Sequence, residues 1–262
     1  MVKVLVMSGY GINCERESAY AFETAGAIAD IVHINDLISK AKRMSDYDIL
    51  MFPGGFSYGD DTGSGNAFAN KVKNNLWEEL LDLISSKKLI LGVCNGFQVM
   101  INLGLFSLDG KSYGRRSSAL VANTQNRYEA RWVNIRSRSE RCIFTKGIDI
   151  APLPVAHGEG RFCCDEKTYE ALKANDQIVF TYCSQDGKDA DGRYPENPNG
   201  SMHDVCGLCD STGRVMGMMP HPERALFSES DPSYHKRKLE ENLPEHIQAN
   251  YLIFRNAVQY FG

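Results

Sequence analysis

One cysteine lies in a setting that could make it a nucleophile. Cys94 follows the apolar run 89–93, and Gly92 and Gly96 stand two residues away on either side. Glycines at those positions leave room for a tight strand-to-helix turn that lifts a side chain out of a sheet, and the N-terminus of the helix that follows lowers a thiol pKa. The same residues also suit a small core residue in an ordinary turn between a strand and a helix. The turn alone leaves both interpretations open.

A thiolate nucleophile needs a base and a group that orients the base, and two segments offer both. His221 and Glu223 lie two residues apart in the proline-stiffened segment MPHPER, where an extended backbone lets both side chains face the same way. His157 and Glu159 have the same spacing in the glycine-rich segment AHGEGR. A surface histidine is the ordinary explanation of a single pair, but two pairs beside a cysteine turn favour a Cys-His-carboxylate arrangement.

Strand and helix patterns alternate in the first half of the chain and must position these residues. Strand-like runs occupy 2–7, 28–34, 47–52 and 89–93, and helical patterns occupy 14–25, 36–44, 66–86 and 95–103. Strands that alternate with helices indicate a parallel sheet with right-handed crossovers. Beyond residue 113 the strand-like segments are 128–136, 152–156, 177–183, 204–209 and 214–219, with one helix near 166–174. We predict an α/β fold, an open and mainly parallel twisted sheet flanked by helices, with an antiparallel extension.

A glycine-rich turn, Pro-Gly-Gly at 53–55, follows the strand predicted at 47–52. Ligands of open α/β sheets bind at the carboxyl ends of the strands, so this turn and the cysteine turn are expected on the same rim. There the backbone N–H groups of Gly55 and Asn95 could bind an oxyanion. Taken alone, this sequence is an ordinary turn.

Composition restricts the class of protein further. The chain has 262 residues and a formal net charge of −4, which does not favour a nucleic acid or an anionic membrane as partner. No window approaches the ~18 apolar residues of a membrane span and the first residues lack a signal-peptide pattern, so we expect a cytoplasmic protein.

We predict one domain over 1–262, with a charged surface insertion at 229–245 and a closing helix at 246–262. Of the eight cysteines, we interpret all but Cys94 as structural.

Five segments together resemble the class I glutamine amidotransferase family and, within it, the glutaminase subunits of phosphoribosylformylglycinamidine synthases. They are GVCNGFQ, PGGFSYGD, AHGEGR, NPNGS and GMMPHPER, and the resemblance runs from the first strand to about residue 224. It implies a flavodoxin-like fold whose catalytic triad is Cys94, His221 and Glu223. It also implies an oxyanion hole at the backbone of Gly55 and Asn95, a contact from Gln98 to glutamine, and a place near the ammonia exit or the synthetase interface for His157, Glu159 and Arg161.

The resemblance further implies a reaction and partners. Glutamine would be hydrolysed to glutamate and ammonia through a Cys94 thioester. A synthetase subunit, with ATP and Mg²⁺, would use the ammonia to convert formylglycinamide ribonucleotide to formylglycinamidine ribonucleotide in purine biosynthesis, and a small subunit would bridge the two. We expect no cofactor or metal in this chain. The segment 104–112 has one residue too many for a phosphate loop and follows a helix, so ATP is expected on the synthetase.

Departures from the family and rival functions remain open at this point. The segments 60–70 and 103–112 differ from the usual sequence of the family, and the seven arginines of 115–141 could form a docking surface or solvated strand edges.

The main alternative function is a stand-alone cysteine or γ-glutamyl hydrolase of the same fold, and a non-catalytic subunit is another. A zinc deaminase is a third, since His157-x-Glu159 precedes a C-x-x-C pair at 206 and 209, although that pair lacks a preceding proline.

Overall fold

The computed structural model describes residues 1–240 and 248–262. The strands are β1 (Lys3–Ser8), β2 (Ile28–His33), β3 (Ile49–Phe52), β4 (Leu89–Val93), β5 (Ser118–Val121), β6 (Glu129–Ser137), β7 (Ile150–His157), β8 (Arg161–Cys164), β9 (Ile178–Cys183), β10 (Val205–Cys209) and β11 (Val215–Met218). The α-helices are α1 (Glu15–Thr24), α2 (Ile34–Ile38), α3 (Asn66–Asn75), α4 (Trp77–Ser85), α5 (Asn95–Leu103), α6 (Glu166–Ala174), α7 (Tyr234–Glu240) and α8 (Gln248–Gln259).

One large sheet organises the described residues, in the strand order β2-β1-β3-β4-β11-β10-β9-β6-β7. The strands β2, β1, β3, β4 and β11 pair in parallel, and β11-β10, β10-β9, β9-β6 and β6-β7 pair antiparallel. It follows that only β10 and β6 run against the direction of the other strands of this sheet. The predicted fold class, a mainly parallel sheet with an antiparallel extension, is confirmed.

The central strands are apolar because both of their faces are covered. Every residue of β3 and β4 is buried, as parallel strands between helical layers require. Helix α5 packs on β4 and β3 and contacts α3, whereas α1 packs on β1 and β2 and contacts α8. Burial of a large apolar side chain such as Phe97 contributes about 1.5–3 kcal/mol to folding, so the sheet and its helices form a stable base for the loops at the rim.

The rim that carries the candidate site is the carboxyl end of β1, β3, β4 and β11. The segment after β1 pairs with the turn after β3, because the amides of Asn13 and Cys14 both donate to the carbonyl of Gly54 at 3.2 Å. An isolated bridge joins Ile12 to Gly55. At the neighbouring strand, the Cys94 amide donates to Met218 O at 2.8 Å, which ties the end of β4 to the end of β11. Four loops therefore meet at one edge of the sheet.

Several predicted elements have other bounds. The helix predicted at 66–86 is two helices, since Leu76 leaves helical geometry with φ −132° and is buried between them. The helix predicted at 36–44 is the shorter α2, because the chain turns at Lys40, which has φ 64°. A second, two-stranded sheet of β5 and β8 was not predicted.

The last part of the chain was predicted only in part. The predicted surface insertion at 229–245 contains helix α7, and its residues 241–245 lie outside the described residues. The closing helix is present as α8, with Ile253, Phe254 and Ala257 buried, although residues 246 and 247 of the predicted range are not described. Within the described part of the chain, no helix combines the length and apolar character needed to cross a membrane. That the whole chain is one domain stays a prediction.

Candidate active site

Cys94 occupies a strained turn between β4 and α5. Its backbone has φ 53° and ψ −108°, a conformation that non-glycine residues adopt only where the surroundings enforce it. A Cβ atom on Gly92 would overlap Met100, and one on Gly96 would overlap the backbone of Phe52. Only glycines fit at these two places, and the tight turn expected from them is present. This is the backbone geometry of a nucleophile elbow.

The surroundings of the Cys94 thiol favour attack on a carbonyl group. Its sulfur donates to Ala156 O at 3.6 Å, and the residue is only 4% exposed. Asn95 is the first residue of α5, so no carbonyl of its own helix accepts from its N–H group. The helix dipole and this N–H group place positive potential beside the sulfur. A negatively charged oxygen bound here would find a donor already in place.

His221 and Glu223 form the closest acid-base pair of the site. The Nδ1 atom of His221 lies 2.6 Å from Oε1 of Glu223, and both residues are buried. The amide of His221 donates to Pro154 O at 2.9 Å, which ties the loop after β11 to β7. The Nε2 atom of the imidazole is buried and makes no hydrogen bond within the described residues. The carboxylate thus holds one ring nitrogen and leaves the other available.

The charge state of His221 is set by its neighbours. Burial lowers its pKa, but the Glu223 carboxylate, the Cys94 sulfur and the Cys14 sulfur together raise the pKa well above the ordinary value of 6.5. The imidazole is therefore held in its protonated form near neutral pH. This places a proton donor beside Cys94 before any substrate arrives.

A second thiol stands next to this pair. The sulfur of Cys14 accepts from Nη2 of Arg224 at 2.9 Å and donates to Oδ1 of Asn13 at 3.2 Å. Its sulfur lies within 4.8 Å of ligand atoms of His221 and Glu223. The interpretation of Cys14 as an ordinary structural cysteine is therefore incomplete, because its thiol belongs to the same buried cluster as the acid-base pair.

His157 is buried as deeply as His221 but in a different environment. Its Nε2 atom lies 3.5 Å from Nδ2 of Asn199, and its Nδ1 atom has no partner within the described part of the chain. Burial, followed by the charge of His221, lowers the pKa of His157 to about 3. The imidazole is therefore neutral at physiological pH. Its neighbour Glu159 does not pair with it, since Oε2 accepts from the Ser64 amide at 3.0 Å.

A buried polar network supports the first turn of α5. Nδ2 of Asn95 donates to Oδ1 of Asp60 at 3.2 Å and to Oε1 of Gln98 at 2.9 Å. Nε2 of Gln98 donates to the carbonyl of Glu159 at 2.6 Å. The Gln98 amide is thus bonded on both sides, and its expected contact with glutamine stays a prediction. Burial raises the pKa of Asp60, which lies in a strained loop with φ 56°.

The remaining candidate residues make no hydrogen bond to this network within the described residues. Arg161 begins β8, where its Nε atom is buried without a hydrogen-bond partner in the described ranges. Cys206 and Cys209 are buried in β10. Across residues 1–240 and 248–262, the one group of three side chains able to hold a metal ion is Cys14, His221 and Glu223. The deaminase arrangement is therefore not assembled in the described structure.

Sequence reasoning missed three groups near Cys94. Cys14 and Asp60 follow β1 and β3 at the same rim as Cys94, so the rule that sites form at the carboxyl ends of strands could have indicated both. Tyr128 precedes β6, and its pKa is raised first by burial and then by the charge of the Cys94 sulfur. No local pattern marks Tyr128, because only the pairing of β6 with β7 brings it to this edge.

The chain was compared with known families and solved structures. The family model described as CobB/CobQ-like glutamine amidotransferase domain matches residues 1–261. The phosphoribosylformylglycinamidine synthase subunit PurQ of Methanococcus maripaludis is 63% identical over 99% of this chain and 98% of that protein. The protein of the same name from Dehalococcoides mccartyi is 38% identical over 99% and 97%. A chain of the structure titled PurLQS from Thermotoga maritima has a TM-score of 0.73 at 24% identity, covering 100% and 99% of the two chains, and supports the fold.

Proposed function

We propose a function on the premise that this chain belongs to the CobB/CobQ-like glutamine amidotransferase domain family. The chain is the glutaminase component of a phosphoribosylformylglycinamidine synthase. It hydrolyses glutamine to glutamate and ammonia, and a partner synthetase consumes the ammonia in purine biosynthesis. The observation that carries the chemistry is the buried His221–Glu223 pair next to the strained Cys94 turn. The choice of pathway rests on the relatives, which bear that name at up to 64% identity over nearly the full chain.

The first half of the reaction acylates the cysteine. The Cys94 thiolate attacks the side-chain amide carbon of glutamine, and the oxygen of the tetrahedral intermediate is held by the backbone N–H groups of Gly55 and Asn95. The raised pKa of His221 keeps a proton ready for the departing nitrogen. That proton passes to the leaving group as the carbon–nitrogen bond breaks. Ammonia departs and a γ-glutamyl thioester remains on Cys94.

The second half hydrolyses the thioester with the same residues. His221 has given up its proton and is now neutral, so its Nε2 atom accepts a proton from the attacking water. Glu223 stabilises the imidazolium that forms again and fixes the ring through Nδ1. The carbon–sulfur bond breaks, glutamate leaves and the Cys94 thiolate is restored. Each proton that His221 donates in the first half is recovered in the second.

The network around α5 holds the oxyanion donors in place. Asp60 and Gln98 both accept hydrogen bonds from the side chain of Asn95. These bonds fix the first residue of α5 and, with it, the backbone N–H group beside Cys94. We assign Asp60, Asn95 and Gln98 this positioning role in addition to any contact with substrate. His157 ends β7, Glu159 lies in the turn that follows and Arg161 begins β8, and we propose that this segment forms the ammonia exit or the synthetase interface.

The partners follow from the relatives and from the chemistry. The relatives are named as subunits of the synthase, and the Thermotoga maritima structure is titled PurLQS. We therefore propose that this chain assembles with a synthetase subunit, which binds ATP and Mg²⁺, and with a small bridging subunit. The chain itself needs no cofactor for the thioester mechanism. We propose that the reaction takes place in the cytoplasm.

Ammonia release from glutamine tests this function. The chain is measured alone and reconstituted with its synthetase and small subunits, as wild type, as Cys94→Ala and as the control Cys163→Ala. We expect glutamine-dependent ammonia release that the synthetase stimulates, that the control retains, and that Cys94→Ala abolishes. Full activity of Cys94→Ala would contradict the mechanism. High activity of the chain alone without stimulation would favour a stand-alone hydrolase.

A further inference from the structure

The Cys14 thiol lies beside the acid-base pair but has no part in the glutaminase mechanism. Cys14 directly precedes α1 and is fully buried. Its sulfur lies within 4.8 Å of a ring nitrogen of His221 and of a carboxylate oxygen of Glu223. Its contacts decide whether this thiol packs as an ordinary core residue or restrains the catalytic groups around it.

The Cys14 thiol accepts one hydrogen bond and donates another. Nη2 of Arg224 donates to the sulfur at 2.9 Å, and the sulfur donates to Oδ1 of Asn13 at 3.2 Å. Burial raises the pKa of this thiol, although its contact with the His221 imidazole acts in the opposite direction. The thiol is therefore protonated near neutral pH, and a protonated thiol is a poor nucleophile. A second attacking sulfur is not its role.

Cys14 also contacts the turn that carries an oxyanion donor. Its amide donates to the carbonyl of Gly54 at 3.2 Å, and Gly55 is the next residue of that turn. A Cβ atom on Gly54 would lie 2.8 Å from Cε1 of His221 and 3.0 Å from the Cys14 sulfur. The imidazole edge and the sulfur thus pack against the same glycine, where no side chain fits. Cys14 therefore touches both the turn after β3 and the segment after β11.

We propose that Cys14 is a positioning residue for the glutaminase reaction, because it joins the segment after β11 to the oxyanion turn after β3. Arg224 follows Glu223 in the same short 3-10 helix, so its bond to the sulfur fixes the helix that carries the carboxylate. The base and the oxyanion donor then keep one geometry while the bonds at Cys94 form and break. This role rests on the proposed glutaminase function, whereas the contact itself does not.

Kinetics of the reconstituted complex test the positioning role. Cys14→Ala removes both side-chain hydrogen bonds and should lower kcat for glutamate formation by about tenfold or more, with the KM for glutamine changed by less than about threefold, because a misplaced base slows the chemistry rather than binding. Cys14→Ser keeps a group that accepts and donates, and should recover most of kcat. Cys142→Ala removes another buried thiol and, as the control, should leave both constants unchanged. A normal kcat in Cys14→Ala, or a loss confined to KM, would overturn the proposal.

Arg224 tests the same contact from its other end. It is an exposed residue, so Arg224→Gln is expected to fold even if Cys14→Ala does not. The shorter side chain does not reach the sulfur, so kcat should fall by a similar factor. The double variant should lose much less than the product of the two single losses, because both substitutions break one contact. Losses that multiply would mean that the two side chains act separately and would refute the link.

The protonation of His221 gives a measurement that needs no activity. The titratable groups around this ring belong to Cys14, Cys94, Tyr128, His157 and Glu223. Burial lowers the pKa of His221, whereas the charges of Glu223 and Cys94 and the contact with Cys14 raise it. In nitrogen NMR titrations of the full chain alone, the imidazole should therefore lose its proton at lower pH in Cys14→Ala than in the wild type or in Cys142→Ala. An unchanged titration in Cys14→Ala would overturn the link between thiol and ring.

The two measurements distinguish this proposal from the proposed function. If the wild-type complex releases no ammonia from glutamine, the glutaminase function is refuted, and the titration still shows whether the thiol restrains the ring. If the wild type releases ammonia and Cys14→Ala keeps both its kcat and its titration, the function stands and the positioning role is refuted.

Discussion

Within the described residues, two buried histidines are each followed two residues later by a glutamate, and the two segments differ in the contact between ring and carboxylate and in the pKa of the ring. His221 bonds its glutamate directly at 2.6 Å, and its pKa is raised well above the ordinary value. His157 has no bond to Glu159, and its pKa is lowered to about 3. The same three-residue pattern thus yields a protonated imidazole in one loop and a neutral one in the other.

The difference lies in where each glutamate side chain goes. Glu223 lies in a short 3-10 helix that turns its carboxylate back to the ring of His221. Glu159 lies in the turn between β7 and β8, and its carboxylate reaches across to the Ser64 amide. Burial lowers the pKa of both histidines, and only the one with a carboxylate partner overcomes it. A His-x-Glu motif therefore forms an acid-base pair only when the fold brings the carboxylate into contact with the imidazole.

The largest contrast is expected when each imidazole is removed. His221→Ala should lower kcat for glutamate formation by about 10⁴-fold or more, since neither the proton donor nor the base remains. His157→Gln should change it by less than about tenfold, because a ring with a pKa of about 3 is too weak a base to take up a proton near neutral pH. Steady-state kinetics of the reconstituted complex measure both. A larger loss in His157→Gln than in His221→Ala would reverse the assignment of the base.

The next largest contrast concerns the two glutamates. Glu223→Gln should lower kcat by about 10²–10⁴-fold, because an amide neither stabilises the imidazolium nor keeps the pKa of His221 high. The substitution keeps the size of the side chain, so the loop is expected to remain folded. Kinetics with circular dichroism as a folding check provide the measurement. Near-normal turnover in Glu223→Gln would mean that the pairing is structural only.

The pH dependence of the free energy of unfolding should distinguish the two histidines. The folded pKa of His157, about 3, lies below its unfolded value of 6.5. Its contribution to stability is therefore fully present above pH 6.5 and is lost as the pH falls towards 3, at about 1.4 kcal/mol per pH unit. From pH 6.5 to pH 5, the wild type should lose about 2 kcal/mol more of its free energy of unfolding than His157→Gln. Urea titrations at the two pH values measure this, and parallel losses would contradict the neutral ring.

The smallest effect is expected for the unpaired glutamate. Glu159→Gln weakens one hydrogen bond, from the Ser64 amide at 3.0 Å, and should cost about 1 kcal/mol of stability or less. Its kcat for glutamate formation should remain within about tenfold of the wild type. The same kinetic and urea assays apply, with Glu223→Gln as the matched comparison. A loss as large as that of Glu223→Gln would show that the two motifs are not distinct in function.

The sequence predicts the centre of this fold well because local signals and tertiary structure agree there. The run at 89–93 becomes β4 and the pattern at 95–103 becomes α5, which ends at Gly104 with φ 68°. The sheet of β5 and β8 is harder to predict, since its strands are four residues long and only partly buried. The break at Leu76 is set by burial of that side chain, which local propensity does not encode.

For the candidate site, the sequence pattern predicts which residue types take part better than it predicts which of them are in contact. The glycines around Cys94 indicate the turn because any Cβ there would clash, a purely local effect. The choice between His157 and His221 cannot be made from spacing, since it depends on where two carboxylates point in the folded chain. The place of Cys14 beside His221 depends on the parallel pairing of β1 with β3 and so is also a tertiary property.

The central claim is that Cys94 carries the γ-glutamyl group, and trapping that group tests it most directly. The reconstituted complex is quenched with acid during turnover of glutamine and digested with trypsin. Cys94 is the one cysteine of the expected peptide 89–111, and Cys14 is the one cysteine of the peptide 4–16. We predict a mass increase of one γ-glutamyl group on 89–111 alone, which disappears in Cys94→Ala. A γ-glutamyl group on 4–16, or none on 89–111 while glutamate is being formed, would contradict the account.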